Sequence, residues 1–247
     1  PGVLIDINEI AELQGIQGDG DVVTVRGCTR QAAAIGDPVL ADSIPLLAKA
    51  MPFIGHQQTR NRGTVGGSIA HGDPAAEIPL ASVALEAGVL LESTVGSRIV
   101  GALEYFEGPM MTARQPYECL TAIEFPIWSN GGAIGVGFQE ISERHGDFAI
   151  VAAAAQLQFD VDGRCARAAI AVGGVSGVPV KVAAAEAVLV GETVSNATIK
   201  AAAAEIATAI DPFDDCHASA GYRKRVADRL VIRAIVEATE DAGLAVS

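Results

Sequence analysis

The short stretch "GTVGGS", which begins at Gly63, combines residue types that can hold an anion. Gly63, Gly66 and Gly67 lack a Cβ, so a ligand can come within hydrogen-bonding distance of their backbone N–H groups. Consecutive N–H groups that point into one concavity form an anion-binding nest. The hydroxyls of Thr64 and Ser68 can complete such a cradle around a phosphate or pyrophosphate. The alternative is a tight turn or bulge that binds nothing.

Three further polar side chains follow this turn, and two of them are acids. Asp73 and Glu77 can accept hydrogen bonds from ribityl or ribose hydroxyls, although spacing alone equally allows Glu77 to be a surface residue or a helix cap. His71 has no second ligand at metal spacing, so it is interpreted as a hydrogen-bonding group of the loop. The turn lacks both the G-K-[ST] of a Walker motif and the acid of a G-x-G-x-x-G fingerprint. An ordinary nucleotide-binding fold is therefore not indicated.

The elements around the turn predict a mixed first half of the chain. Upstream, "VLIDI" and the alternating "DVVTVRG" predict two strands in a hairpin-like arrangement. A helix that carries Leu46, Leu47, Ala50 and Met51 at helical spacing then leads to the turn. Downstream, further strands are predicted at "GVLLES", "SRIVGALEYF" and "ECLTAIEFPI".

The second half predicts a unit of strands followed by helices. The Gly- and Asn-containing stretch "WSNGG" marks a boundary, which divides the chain into residues 1–128 and 129–247. Strands are predicted at "AIGVGFQEIS", "IVAAAAQLQFD" and "CARAAIAVGG", and amphipathic helices at "TIKAAAAEIATAI" and "GYRKRVADRLVIRAIVEA". This order is typical of an α+β protein.

The charge balance argues against a nucleic-acid partner. The chain has 17 basic and 30 acidic side chains, for a formal net charge of −13, which repels phosphate backbones. The basic stretch "YRKRVADR" alternates with apolar positions and is interpreted as the solvated face of a helix.

Cysteine usage and hydropathy bear on metal binding, on the cellular compartment and on membrane insertion. No C-x-x-C pair occurs among Cys28, Cys119, Cys165 and Cys216, so no metal site is expected on this chain. Scattered thiols suit a reducing compartment, and the cytoplasm is the expected location. The most apolar run, "FAIVAAAAQLQF", is well short of the ~20 residues that a membrane-spanning helix requires.

Four stretches in order along the chain carry a family resemblance: "GHQQTRNRGTVGGSIAHGDPAAEIP", "LTAIEFP", "FQEISERHGDFAIVAAAAQL" and "DPFDDCHASAGYRKRVADRLVIRAI". They resemble the FAD-binding medium subunits, or domains, of molybdenum hydroxylases such as carbon monoxide dehydrogenase and xanthine dehydrogenase. The resemblance implies an FAD-binding fold of the vanillyl-alcohol oxidase/p-cresol methylhydroxylase type, followed by a smaller three-stranded sheet with helices. The family's upstream segment, with a first glycine-rich loop of the A-G-G-x-S kind, has no counterpart here, so the FAD fold is expected to be N-terminally incomplete.

The resemblance also implies which residues contact FAD. These cofactor-binding residues are Thr64, Val65, Gly66, Gly67, Ser68, Glu77, Leu120 and Phe148. The turn from Thr64 to Ser68 is expected to hold the pyrophosphate, Glu77 to contact the cofactor, Leu120 to lie near the isoalloxazine ring and Phe148 to lie beside it. Without the resemblance, core packing is an equal alternative for Leu120 and Phe148. No residue is assigned as a proton-transferring catalytic group.

Two departures from the family concern the electron acceptor. Gln139 stands where NAD-linked relatives have Lys, and Glu143–Arg144 stands where many relatives have paired arginines. A quinone or another non-nicotinamide acceptor is therefore favoured over NAD.

The function implied by the resemblance is electron transfer within a larger complex. A large partner is expected to carry the molybdenum cofactor, and a small partner two [2Fe-2S] clusters, in a dimer of heterotrimers. Electrons would reach this chain's FAD and leave to an external acceptor. Two alternatives stay open, namely a self-contained flavin oxidase of the same broad fold and a non-catalytic assembly scaffold that has lost FAD.

Overall fold

A computed structural model describes residues 2–128 and 131–246 of the chain. The helices are α1 (Gln31–Ile35), α2 (Pro38–Ser43), α3 (Pro45–Ala50), α4 (Gln57–Arg62), α5 (Val65–His71), α6 (Glu77–Ala84), α7 (Ala102–Tyr105), α8 (Ala183–Leu189), α9 (Asn196–Ala209) and α10 (Ala220–Asp241). The strands are β1 (Ile16–Asp19), β2 (Val22–Arg26), β3 (Gly88–Ser93), β4 (Gly96–Gly101), β5 (Phe106–Gly108), β6 (Met111–Thr112), β7 (Cys119–Pro126), β8 (Ala133–Ile141), β9 (Val151–Phe159), β10 (Cys165–Gly173) and β11 (Val180–Lys181). This mixture confirms the α+β class.

The first half contains an antiparallel five-stranded sheet in the order β1-β2-β7-β3-β4. The strand predicted at "DVVTVRG" is present as β2, but its hairpin partner is β1 rather than "VLIDI". The expected strand at "VLIDI" is wrong, because the segment forms no ladder and Val3, Leu4 and Ile5 are largely exposed. Helices α5 and α6 follow β2 in the chain and bring the glycine-rich turn against this sheet.

The second half contains a four-stranded sheet in the order β11-β10-β9-β8. Its body is the three expected strands, each nine residues long, and the two-residue β11 extends one edge. Helix α10 packs along β8 and β9. A Cβ added at Gly137 of β8 would lie 2.0 Å from the carbonyl oxygen of Ala234, so the missing side chain allows this close packing.

Both faces of this second sheet are covered, which joins the two halves of the chain. Along β9, Ala152 and Ala154 pack into the core shared with the first half. The alternate residues Ala153, Ala155 and Leu157 pack into the core formed with α9 and α10. This alternation follows from the two-residue period of a strand, and it explains why every residue of β9 is buried.

Over the described residues, no helix combines the length and the apolar composition that crossing a bilayer requires.

Candidate functional site

The glycine-rich turn is the start of α5. Thr64 is the N-cap residue, and its hydroxyl accepts a hydrogen bond from the backbone N–H of Gly67 at 3.0 Å. This is the usual role of a threonine at a helix N-terminus, because the first N–H groups of a helix lack partners within it. The sequence "GTVGGS" therefore encodes a helix start as well as a potential binding surface.

The inner part of the turn is used for packing within the protein. The N–H of Val65 donates to the carbonyl of Thr29, and that of Gly66 to the carbonyl of Gly27, both at 2.9 Å. A Cβ at Gly66 would lie 2.5 Å from the Gly27 carbonyl oxygen, so only glycine fits without backbone movement. Val65 and Gly66 are buried and have their amides paired, which leaves the outer residues to meet a ligand.

The outer part of the turn is accessible. Gly67 is exposed, and Ser68 is half-buried with a hydroxyl that makes no hydrogen bond to any described residue. A phosphate that approaches this turn first meets Gly67, whose N–H already donates to Thr64, and the free hydroxyl of Ser68. The part of the turn that a ligand can reach is therefore smaller than the full run from Thr64 to Ser68. Contact of that full run with a cofactor stays a prediction.

Leu120 lies directly behind the same turn. It is a buried residue of β7, and the N–H of Gly27 donates to the carbonyl of the neighbouring Thr121 at 2.8 Å. A Cβ at Gly27 would be 3.4 Å from Leu120 Cδ2. Gly27 therefore contacts both Gly66 and Leu120, so it packs between the glycine-rich turn and β7. Sequence reasoning missed Gly27, whose signal was a glycine at the end of a predicted strand.

Glu77 is a buried acid without a protein partner. It is the first residue of α6 and is 4% exposed. In the described part of the chain, the donor to its carboxylate is its own backbone N–H, and no cation lies within ion-pair distance. Burial raises the pKa of Glu77 to about 7, and the charge of Asp73 acts in the same direction. A buried carboxyl of this kind suits the hydroxyl donors of a bound cofactor.

A second acid, the half-buried Glu140, faces the same interior. It lies on β8, two residues after the buried Phe138, so both side chains point to the same face of the sheet. Its Oε2 atom is buried without a hydrogen-bond partner. Burial, together with the negative charge of Glu77, raises the pKa of Glu140 to about 8. Sequence reasoning missed this residue, although the alternation in "FQEIS" would have placed it with Phe138.

Gln139 points to the opposite face of β8. Its side-chain amide donates to Glu237 of α10 at 2.8 Å, and Glu237 also pairs with Lys49. Gln139 is thus held in the packing between β8 and α10, away from the face that carries Glu140.

Phe148 lies in the loop between β8 and β9 and is 57% exposed. It borders a cavity of about 870 Å³, which Asp73, Pro74 and Ala75 also line. The segment that leads into Glu77 therefore shares this cavity with Phe148. The structure places the predicted residues in two adjoining groups, the turn with Leu120 and the Glu77 segment with Phe148. Asp147 lines the same cavity, which accords with its expected place in that loop.

Arg223 is a further residue of this region, and its burial corrects the interpretation of "YRKRVADR" as a solvated face at this one position, since Lys224, Arg225 and Arg229 are exposed. Arg223 is 3% exposed, and its guanidinium donates to the carbonyls of Ile150 at 2.6 Å and Gly174 at 2.7 Å. It also pairs with Asp215 at 2.5 Å. Arg223 precedes the buried Ala227 by four residues, so the two lie on the same face of α10. This spacing could have predicted the burial of Arg223.

No group of three or more His, Cys, Asp or Glu side chains in the described ranges is arranged to hold a metal ion. The site therefore offers a glycine-rich turn, a buried acid and an aromatic-lined cavity. These groups suit an organic cofactor that carries phosphate and hydroxyl groups.

Comparison with known proteins identifies this arrangement. Residues 1–128 match the family model for the FAD-binding domain in molybdopterin dehydrogenase. Residues 137–238 match the model for the CO dehydrogenase flavoprotein C-terminal domain. The first match contains the turn, Glu77 and Leu120, and the second contains Phe148.

Relatives of similar length agree with these models. The chain is 35% identical to the 6-hydroxypseudooxynicotine dehydrogenase complex subunit alpha of Paenarthrobacter nicotinovorans, over 96% of this chain and 80% of that protein. It is 33% identical to the carbon monoxide dehydrogenase medium chain of Afipia carboxidovorans, over 96% and 82%.

Solved structures show the same fold. Reconstituted CO dehydrogenase from Oligotropha carboxidovorans matches at 32% identity and a TM-score of 0.91, over 96% of this chain and 82% of that one. Quinoline 2-oxidoreductase from Pseudomonas putida 86 matches at 32% identity and a TM-score of 0.89, over 96% and 81%. The chain belongs to the FAD-binding medium subunits of molybdenum hydroxylases, the flavoprotein components of oxidoreductase complexes.

Proposed function

We propose that this chain carries FAD and passes electrons from iron–sulfur clusters on a partner chain to an external acceptor. The electrons originate at a molybdenum cofactor on a large partner, and a small partner carries two [2Fe-2S] clusters. The FAD supplies the redox chemistry, and this chain binds and orients it. The substrate of the complex is bound by the large partner and is not encoded in this chain.

The buried carboxyl of Glu77, whose donor among the described residues is its own backbone N–H alone, is the observation that carries the proposal. A buried acid with so few donors costs folding free energy, so proteins rarely keep one unless it serves a ligand. Hydroxyl groups of the FAD ribityl chain or ribose would supply the missing donors. The exposed backbone of Gly67 and the free hydroxyl of Ser68 are available to the pyrophosphate, while Leu120 and Phe148 provide apolar contacts for the isoalloxazine ring.

The other residues of the proposed site contribute by fixing the position of the glycine-rich turn. Thr64 caps α5 and fixes the start of the turn. Val65 and Gly66 dock the turn on Thr29 and Gly27. We further propose that residues 1–128 form the FAD-binding unit and residues 129–247 the C-terminal unit. The complex is proposed to be a cytoplasmic dimer of heterotrimers.

Purification of the native complex tests the proposal. We expect a larger and a smaller chain to co-elute with this one, with molybdenum, iron and FAD present, and we expect the substrate of the complex to bleach the flavin absorbance. A single yellow chain that its substrate reduces without partners would support the self-contained oxidase instead. A folded complex that contains molybdenum and iron but no FAD would support the scaffold alternative.

A matched pair of variants tests the site itself. Glu77→Gln removes the negative charge and one of the two acceptor oxygens that can face the cofactor hydroxyls, so the FAD dissociation constant should rise about tenfold, the effect of one charge-assisted hydrogen bond. Glu92→Gln, at an exposed position on β3, is the control and should leave FAD affinity unchanged. Equal affinities for the two variants would contradict the assigned role of Glu77.

A further inference from the structure

Strand β7 contains a β-bulge directly beside Leu120. Leu120 pairs with Leu91 of β3 and Ala122 pairs with Leu90, so the intervening Thr121 has no partner residue of its own on β3. An extra residue of this kind interrupts the alternation of a strand and re-aims the side chains around it. Bulges often lie beside functional sites, and this one adjoins the residue that is proposed to contact the isoalloxazine ring.

The side chain of the bulged residue is buried and unpaired. Thr121 is 6% exposed, and its Oγ1 atom has no hydrogen-bond partner among the described residues. A hydroxyl offers one donor and two acceptor lone pairs, and leaving all of them unused in the interior costs folding free energy. Valine has the same shape and would avoid this cost, so the hydroxyl itself requires an explanation.

The other buried serine and threonine hydroxyls of the described residues are satisfied within the protein. Each bonds to at least one backbone group at a distance between 2.8 and 3.0 Å, and these residues are Thr29, Ser82, Ser176 and Thr239. The fold therefore pairs the hydroxyls that it buries for its own stability. Thr121 departs from this rule at one position, next to the candidate FAD site.

The backbone of Thr121 connects the bulge to the glycine-rich turn. Its carbonyl accepts a hydrogen bond from the N–H of Gly27 at 2.8 Å, and the carbonyl of Gly27 accepts one from the N–H of Gly66 at 2.9 Å. A Cβ at Gly27 would lie 2.7 Å from the carbonyl oxygen of Leu120, so the two backbones are in direct contact. Two hydrogen bonds thus connect Thr121 to the turn that is proposed to hold the pyrophosphate.

From the bulge, the unpaired hydroxyl and the connection to the turn, we propose that Thr121 is a further FAD-binding residue, whose hydroxyl hydrogen-bonds to the isoalloxazine ring. This inference rests on the proposed function, because it needs FAD at the turn. The ring carries carbonyl oxygens and nitrogens along one edge, so a hydroxyl can serve it as donor or acceptor. Leu120 supplies the apolar contact and Thr121 the polar one, and a polar contact of this kind fixes the orientation of a ligand.

Two substitutions separate hydrogen bonding from packing. Thr121→Val removes the hydroxyl and keeps the shape, whereas Thr121→Ser keeps the hydroxyl and removes a methyl group. The test measures the FAD dissociation constant by flavin fluorescence, in the native complex from which FAD has been removed. Thr121→Val should raise this constant about fivefold, the effect of one neutral hydrogen bond, and Thr121→Ser should leave it within about twofold of the parent.

Two further measurements and a control accompany the titration. The visible absorption band of the bound flavin should shift in Thr121→Val and not in Thr121→Ser, because hydrogen bonds to the ring tune its electronic properties. The flavin-free Thr121→Val chain should be at least as stable to urea as the parent, since it no longer buries an unpaired hydroxyl. Thr24→Val, at a half-buried position on the neighbouring β2, is the control and should leave FAD affinity unchanged.

A role in packing alone predicts the opposite order of the two variants. FAD affinity that is retained in Thr121→Val, or that falls as far in Thr121→Ser as in Thr121→Val, would overturn the proposal. These outcomes are distinct from failure of the proposed function. A complex that binds FAD and bleaches with its substrate, yet has the same FAD affinity in Thr121→Val as in the parent, would overturn the role of Thr121 alone. A complex that contains no FAD and takes none up would contradict the proposed function itself.

Discussion

Two groups of acidic side chains in this molecule have opposite environments. Near the surface, beside the exposed side chain of Arg98, Glu118 has a side chain that is 7% exposed. It accepts two hydrogen bonds from Arg98, at 2.7 and 2.9 Å, and one from the backbone N–H of Gln115. Its pKa is lowered to about 2, first by the hydrogen bond from Arg98 and then by that from Gln115. In the interior, Glu77 and Glu140 have no such donors, and their pKa values are raised to about 7 and about 8.

The difference in hydrogen bonding shows that Glu118, and not Glu77, contributes to holding the fold together. Glu118 is matched to donors from two segments, Arg98 of β4 and the backbone N–H of Gln115, so its charge supports the arrangement of the loop before β7. Glu77, at the edge of the candidate FAD site, has its own backbone N–H as its single donor among the described residues, so a ligand there could supply further donors. Unsatisfied buried polar groups of this kind mark functional sites more often than surface ion pairs do.

The largest expected effect on the free energy of unfolding is that of Glu140→Gln. The raised pKa of Glu140 means that the folded protein loses stability as the pH rises above the ordinary value of 4.5 and through about 8. The variant cannot ionise, so near pH 9 its free energy of unfolding should exceed that of the parent by about 3 kcal/mol. Urea unfolding of the purified chain as a function of pH measures the difference. A constant difference from acid to alkaline pH would contradict a raised pKa.

Glu77→Gln should act in the same direction but less strongly. The pKa of Glu77 is about 7, so the cost of its ionisation is smaller, and the flavin-free variant should gain about 2 kcal/mol above that pH. The same variant should bind FAD more weakly. Gains in stability that accompany losses in ligand affinity are typical of residues kept for function. Unchanged stability at every pH would indicate that Glu77 has a partner in the free chain.

The smallest effect is expected at the surface pair. Glu118→Gln removes an acid whose pKa is lowered, so the stability it provides is present above the ordinary value of 4.5 and is lost as the pH falls through about 2. The melting temperature of the variant should be slightly lower than that of the parent at neutral pH and equal to it near pH 2. Added salt should reduce the difference, because it screens exposed charges. A change in stability at neutral pH larger than that of Glu77→Gln would contradict the contrast between Glu118 and the two interior acids.

Much of the fold could be predicted from sequence because its signals are local. The alternation in "DVVTVRG" and the apolar stripes of α9 and α10 depend on neighbours within a few residues, and each is present as expected. The strand at "VLIDI" was predicted from the same kind of pattern. It failed because a strand also needs a partner edge, and β1 occupies the edge beside β2.

The residue types of the candidate site could be predicted from the sequence, but the contacts between these residues could not. The glycine pair predicted a turn that is present at the start of α5, yet nothing in the sequence shows that Gly66 packs on Gly27 while Gly67 faces outward. The burial of Arg223 depends on carbonyls of Ile150 and Gly174, which are distant in sequence. Such pairings are set by tertiary packing, which overrides the local preference of an arginine for solvent.

An experimental density map of the intact native complex tests the central claim most directly. The account predicts an FAD whose pyrophosphate lies against Gly67 and Ser68, with a ribityl or ribose hydroxyl within hydrogen-bonding distance of Glu77. A dinucleotide bound elsewhere on the chain, or a fully assembled complex with Glu77 satisfied by protein and no flavin, would contradict it.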